Sequence, residues 1–343
     1  MSSDNIDPTL IRAMMRLDVQ GAMYLGMRVP GLPFYTSATD NRLPDHLPSL
    51  TTARDLANTW SCRMYHFMRT EADEYKFREV RTPPLELFAK AQELENVFLQ
   101  LEALLLEFLH RPNVRLTSRE SHGLNMLRCR VKIDRMLSAC CLYTEASMLD
   151  RYLDQFEEIL AICVCIASSD DADSRLFTVS LDEGLLFPLW FTAVHCRDSH
   201  IRHKALETLK RLPSGRSVWH VEAMTRSAEK CVQFEEASCG KESPKCEDIH
   251  EWKRIHSAGL DGLEVSAATR EVTVYLRTRP NGIDGEWVEH KDKIYWYECS
   301  SSLKSQILTD AHSDWGNPLH SVLDHLYEQS GTTHLACGCK YGI

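Results

Sequence analysis

The 343-residue sequence has no long apolar run; the longest, Ile159 to Ala167, is nine residues. A membrane span needs about 20, so the chain reads as soluble. Its opening, MSSDNIDPTL, has neither the basic nor the apolar region of a secretory signal. A basic excess is lacking too. Thirty-nine Lys and Arg against 49 Asp and Glu leave a charge of −10, so no global field draws the chain to phosphate. There is no G-x-G-x-x-G, no G-x-S-x-G and no G-x-x-x-x-G-K-[ST], which removes the common dinucleotide, nucleophile-elbow and phosphate-loop signatures. Gly21 and Gly26 have the phosphate-loop spacing, but Met27-Arg28 follows where lysine and a hydroxyl are required. No repeat of fixed period is present, so a regular solenoid is not indicated.

Among 13 cysteines no C-x-x-C occurs. An odd count, with Cys140, Cys141, Cys163 and Cys165 inside apolar helical stretches, reads as buried free thiols of a reducing, intracellular compartment.

Helical periodicity fills most of what is present. Leu87, Ala91, Leu94, Phe98, Leu101, Leu105 and Phe108 step by four and three, which places them on one helix face. Pro83 and Pro84 precede the stripe and Pro112 ends it. Core packing is the expected use of that face, with pairing to another chain as the alternative. Leu149, Tyr152, Leu153, Phe156, Leu160, Cys163 and Val164 form a second stripe. Further helices are expected at about 9–27, 51–79, 118–142, 181–195, 199–211 and 218–237. Thr52 with Asp55 is the expected capping start of the 51–79 helix. Residues 238–248 read as a polar surface loop. EVTVYLRTRP and EWVEHKDKIYWY flank NGIDG, predicting a small β-hairpin over about 271–297. The fold class is therefore all-α, an irregular multi-helix domain over 1–297 closed by that hairpin. Residues 298–343 form an atypical tail.

Candidate chemistry is sparse. His250, Glu251 and His256 imitate the zinc-protease H-E-x-x-H, but a spacing of six leaves two helical histidines about 120° apart, so they read as solvated. His195, Cys196, His200 and His203 cluster in AVHCRDSHIRHKAL, and His334, Cys337 and Cys339 near the end. Neither set has a familiar fourth ligand, so no zinc or other cofactor is expected. Asp198 or Ser199 is suited to cap the helix that follows the first cluster. Glu157-Glu158, Asp170-Asp171 and Glu235-Glu236 read as solvated faces. Arg197, Arg202, Lys204, Lys210 and Arg211 read as surface or salt-bridged charge, with phosphate contact as the rival.

Four strings carry a resemblance: LIRAMMRLDVQGAMYLGMRVPGLP at 10–33, LTTARDLANTW at 50–60, LLFPLWFTAVHCRDSHIRHKALETLKRLPSGRSVW at 185–219, and VTVYLRTRPNGIDGEWVEHKDKIYW before residue 297. In this order they resemble the regulatory region of fungal binuclear zinc-cluster transcription factors. The most specific is the third, with an apolar helix, a Cys196-Arg197-Asp198 turn, Ile201-Arg202 and a closing helix. The resemblance implies a non-catalytic transcription-regulator domain acting in the nucleus, often over a secondary-metabolite gene cluster. Its implied partners are proteins of the transcription machinery or a second copy. That family's DNA-binding module holds two zinc ions with six cysteines, yet the first cysteine here is Cys62. No zinc ligand carries over, and direct sequence-specific DNA binding is not expected from this chain. Two rival readings are a helical protein–protein adaptor and an enzyme with an unrecognised helical pocket.

Overall fold

A computed structural model of the chain describes residues 8–24, 28–31, 42–78, 82–169, 184–213, 220–237, 239–265 and 270–296. The fold is mostly α-helical with a small three-stranded antiparallel sheet near the C-terminal end of the described residues. The helices are α1 (Pro8–Tyr24), α2 (Leu50–Phe67), α3 (Leu85–His110), α4 (Ser118–Cys140), α5 (Leu153–Ala167), α6 (Leu186–His195), α7 (Ser199–Lys210) and α8 (Val221–Glu236). The strands are β1 (Ser257–Val265), β2 (Arg270–Thr278) and β3 (Val288–Trp296). Among the described residues no helix is long and apolar enough to cross a membrane. The proposed tail, 298–343, lies outside the described residues.

The α3 stripe is buried residue for residue: Leu87, Ala91, Leu94, Phe98, Leu101, Leu105 and Phe108 all face the core. Helix α4 packs beside it, started by a reciprocal cap in which Thr117 Oγ1 accepts from Glu120 N and Glu120 accepts from Thr117 N. Charge also crosses this contact. Lys132 of α4, almost fully buried, donates to Glu102 of α3, and Arg135 Nη1 reaches the other Glu102 oxygen at 3.1 Å.

Helix α6, LFPLWFTAVH, has no polar face, and Leu186 through Val194 are all buried. A helix apolar all round must be surrounded, and α4, α5, α7 and α8 pack against it. Phe187, Phe191 and Phe156 of α5 meet with ring centroids 5.9–6.0 Å apart. Trp190 is also inside, its indole N–H donating to Ser227 Oγ of α8 at 2.9 Å.

Several boundaries differ from the sequence reading. The cap of α2 is Ser49, whose Oγ accepts from Thr52 N at 3.1 Å, so the Thr52–Asp55 start lies one turn too far along. The expected 51–79 helix loses α geometry after Phe67 and continues as two π-helical turns, Met68–Ala72 and Glu74–Arg78. The second stripe begins as a 3₁₀ segment, Ala146–Tyr152, before α5.

The expected hairpin forms as β2 and β3, and an unanticipated strand, β1, pairs with β2 to complete a three-stranded sheet in the order β1-β2-β3. Val272, Val274 and Leu276 alternate inward on β2 as the sequence suggests, and Val272 lies opposite buried Ile294 of β3. The β2–β3 connection is a nine-residue loop, 279–287, wider than a two-residue turn. Gly282 there has φ +88°, a conformation that favours glycine. Strand β1, SAGLDGLEV, holds two glycines and little β-branched character, so pairing with β2 overrides a weak local preference.

Trp190→Ala removes a buried ring and the hydrogen bond that its indole N–H makes to Ser227 Oγ. A thermal melt is expected to show a loss of about 3–5 kcal/mol, seen as a marked fall in Tm. An unchanged Tm would place the indole outside the core.

Candidate functional site

The string that best carries the resemblance folds into a corner. Helix α6 ends at His195; Cys196, Arg197 and Asp198 turn the chain; α7 begins at Ser199. Asp198 is the N-cap, with Oδ1 accepting from His200 N at 3.1 Å and Ile201 N at 3.3 Å. Its other oxygen accepts from Lys245 Nζ at 2.8 Å, and Ser199 N donates to Pro244 O at 3.0 Å, so the 239–248 segment lies across the corner. Burial favours neutral Asp198, but Lys245 and the two backbone donors outweigh it and lower its pKa.

Beneath the cap sits an ionic knot. Arg197, Arg202 and Glu235 of α8 are wholly inaccessible to solvent. Glu235 Oε1 accepts from Arg197 Nη2 at 2.9 Å and from the backbone N–H of Ile255 at 2.8 Å. Glu235 Oε2 accepts from Arg202 Nη2 at 2.7 Å. The arginines also satisfy helix-end carbonyls: Arg197 Nη1 donates to His195 O at 2.7 Å, and Arg202 Nε to Ala193 O at 3.2 Å. Arg197 Nη2 further donates to Ile255 O at 3.0 Å. Burial alone would raise the Glu235 carboxyl, but the two guanidiniums dominate and hold it at about 2. His195, tilted against Phe191 with ring centroids 4.6 Å apart, is pushed down to about 3 by burial and then by Arg197. It is a neutral imidazole. Burial pushes the thiols of Cys196 and Cys231 up to about 12, so both stay protonated.

One sequence reading is corrected here: Glu235 is not part of a solvated acidic face. Of the two readings given to the basic cluster, Arg197 and Arg202 take the salt-bridged one, buried against Glu235. The signal was in the pattern: Met224, Ala228, Cys231 and Glu235 step by four, three and four, so Glu235 occupies the buried stripe of α8. The rest of the basic cluster behaves as expected near the surface, with Lys204 reaching Glu207 at 3.3 Å and Lys210 reaching Glu229 at 2.7 Å.

The zinc-protease look-alike is a connector. His250 caps a short 3₁₀ turn, Glu251–Lys253. Glu251 Oε1 and Oε2 accept from Ala146 N at 2.6 Å and Ser147 N at 2.9 Å, anchoring the start of the 146–152 segment. Arg254 reaches Asp150 at 2.7 Å. His256 is buried, so its reading as a solvated helical histidine is corrected. Its Nδ1 bonds Thr144 O at 2.9 Å, and its ring meets Trp287 edge-on, with centroids 5.1 Å apart. Burial and the charge of Lys76 lower its pKa to about 4.

The suggested ligands at 195–203 diverge. His195 lies among aromatic rings, Cys196 is buried, His200 is exposed, and His203 Nε2 meets Glu236 at 2.9 Å. Among the described residues no group of three or more His, Cys, Asp or Glu side chains is arranged to hold a metal ion. His334, Cys337 and Cys339 lie outside the described residues. A polar groove of about 320 Å³ runs between Leu209, Leu212, Val221 and Thr225, edged by the Lys210–Glu229 and Arg226–Glu222 pairs. No protein-family model, curated protein or solved structure matches this chain.

The knot makes stability acid-sensitive, with a defined sign. Glu235 titrates lower folded than its ordinary 4.5, so its contribution is complete above 4.5 and lost as pH falls toward 2. His195 titrates lower folded than 6.5, so the unfolded chain gains protons first below 6.5, again costing stability in acid. Glu235→Gln is expected to cost about 3–5 kcal/mol at neutral pH and to flatten the acid limb of a chemical-denaturation series below pH 4.5. An unaltered limb would remove Glu235 from the account. Separately, metal analysis of purified protein is expected to find no stoichiometric zinc; one ion per chain would require a site outside these contacts.

Proposed function

We propose that this chain is a non-catalytic regulatory domain of the fungal binuclear zinc-cluster type. It acts in the nucleus through proteins of the transcription machinery, with no DNA-binding module of its own among the described residues. The supporting observation is how the resembling strings are used. They fall on α1, on α2, on α6 with α7, and on β2 with β3, in chain order. The described side chains at their centres enter one continuous core: Val19, Trp60, Phe191, Ile201 and Val274 are all buried in it. Within the most specific string, each charged residue of Arg197-Asp198 and Arg202 is spent on the corner itself. Residues so used are a requirement of the fold, which is what makes a string recognisable in a domain without catalysis.

Control of a secondary-metabolite gene cluster belongs to this reading as its biological setting. The rival is a helical adaptor with no transcriptional duty, and one experiment separates them. Fusing the chain to an unrelated DNA-binding module at a reporter promoter is expected to change transcription severalfold. Glu235→Gln in the same fusion should weaken the change by loosening the α6–α7 corner and the connector to β1. A folded, nuclear wild-type fusion that leaves the reporter unaltered would overturn the regulatory reading and favour the adaptor.

A further inference from the structure

Helix α3 has a second face that the core does not use. Leu85, Gln92, Leu99 and Leu106 recur every seven residues, and Ala89, Asn96 and Ala103 lie four residues after the first three. This alternation of threes and fours is the seam of a helix pair. It starts about 200° round the helix from the buried Leu87 stripe, so it points away from the body. Leu85 is 82% exposed and Leu99 48%; Ala89, Gln92, Asn96 and Ala103 are exposed as well, and Leu106 is half-buried. The seam runs for about 32 Å. Small alanines allow close approach, and the polar Gln92 and Asn96 at its middle set a register.

The charge beside the seam says what fits it. Glu86, Glu93 and Glu107 flank the leucines and are all exposed, with Glu95 on the other side. The nearby cations are engaged: Lys90 Nζ meets Glu71 at 2.5 Å and Arg111 Nη2 meets Glu107 at 2.7 Å. A second copy of α3 would bring only more acid to the seam, setting Glu86 against Glu107 when antiparallel. A basic helix would meet them with opposite charge.

We propose that the outward face of α3 docks a basic amphipathic helix of a partner protein, with apolar residues in heptad spacing and Lys or Arg along both flanks. The inference stands on α3 alone, so its failure and that of the regulatory reading are separable.

The test uses the full chain and a synthetic helical peptide of about 21 residues, leucine at the seam positions and lysine at the flanks. A scrambled peptide of the same composition is the control. By fluorescence anisotropy the patterned peptide is expected to bind and the scrambled one to bind far more weakly. Leu99→Glu adds negative charge, so it would strengthen a merely electrostatic contact. Here it is expected to raise Kd at least about tenfold. The uncharged Leu99→Gln should weaken binding in the same direction, which guards against a folding defect in the first variant. Glu86→Lys with Glu93→Lys should also weaken it. Equal binding of the scrambled peptide, no binding of the patterned one, or a Kd unmoved by Leu99→Gln would overturn the proposal. So would a dimer of the free chain that Leu99→Glu dissociates, since a second copy would then occupy the face.

Discussion

One carboxylate holds the molecule's parts together. Glu235, in the last turn of α8, sits where the end of α6, the start of α7 and the backbone leading into β1 converge. It directly holds the α6–α7 turn through Arg197, α7 through Arg202 and the connector through Ile255 N. Removing a carboxylate and two guanidiniums from water costs several kcal/mol per ion. The cost is offset only when geometry is close and the remaining donors find acceptors. Here both carboxylate oxygens are used, and the arginines extend to the carbonyls of Ala193, His195 and Ile255, leaving only Arg197 Nε and Arg202 Nη1 without a hydrogen bond. The net gain in stability is small beside an apolar alternative, but the loss on removing one member is large. Such a knot selects one arrangement of helices and connector over others of similar apolar burial.

The same economy recurs through the body. Lys132 joins α4 to Glu102 of α3 and to Glu158 of α5, the latter at 2.8 Å. Glu251 fastens the 251–253 turn to the start of the 146–152 segment, and Arg254 reaches Asp150 beside it. Histidine, glutamate and arginine in short spacing therefore resemble chemistry in this sequence while serving as internal fasteners. That distinction shapes the functional reading. The strings that suggest a regulatory domain are strings the fold consumes, and the exposed face proposed for a partner helix lies elsewhere, on the outer side of α3.

How much was legible follows from the range of each interaction. The α3 stripe could be read because helical periodicity is local and seven residues reported it together. Asp198 as a cap was legible for the same reason: its donors lie two and three residues away. Glu235 was hidden because its partners lie 20, 33 and 38 residues distant in sequence, although its place on the apolar stripe of α8 marked it as a buried acid. Strand β1 was hidden because its stability comes from β2, and its own glycines argue against a strand. His256 was misplaced for a related reason: the helix assumed for 250–256 ends after one 3₁₀ turn, where Arg254 is drawn back to Ile249 O and Cys246 O.

Backbone hydrogen exchange reads the central claim most directly, because Ile255 N–H is the donor that ties the sheet connector to Glu235. In the wild-type chain that amide should exchange as slowly as amides in α6, only through global unfolding. In Glu235→Gln, protection at Ile255 and across 193–202 should fall together, while α3 and α4 retain theirs. Fast exchange at Ile255 in the wild type, or loss at Ile255 alone in the variant, would contradict a knot that joins corner and connector as one unit.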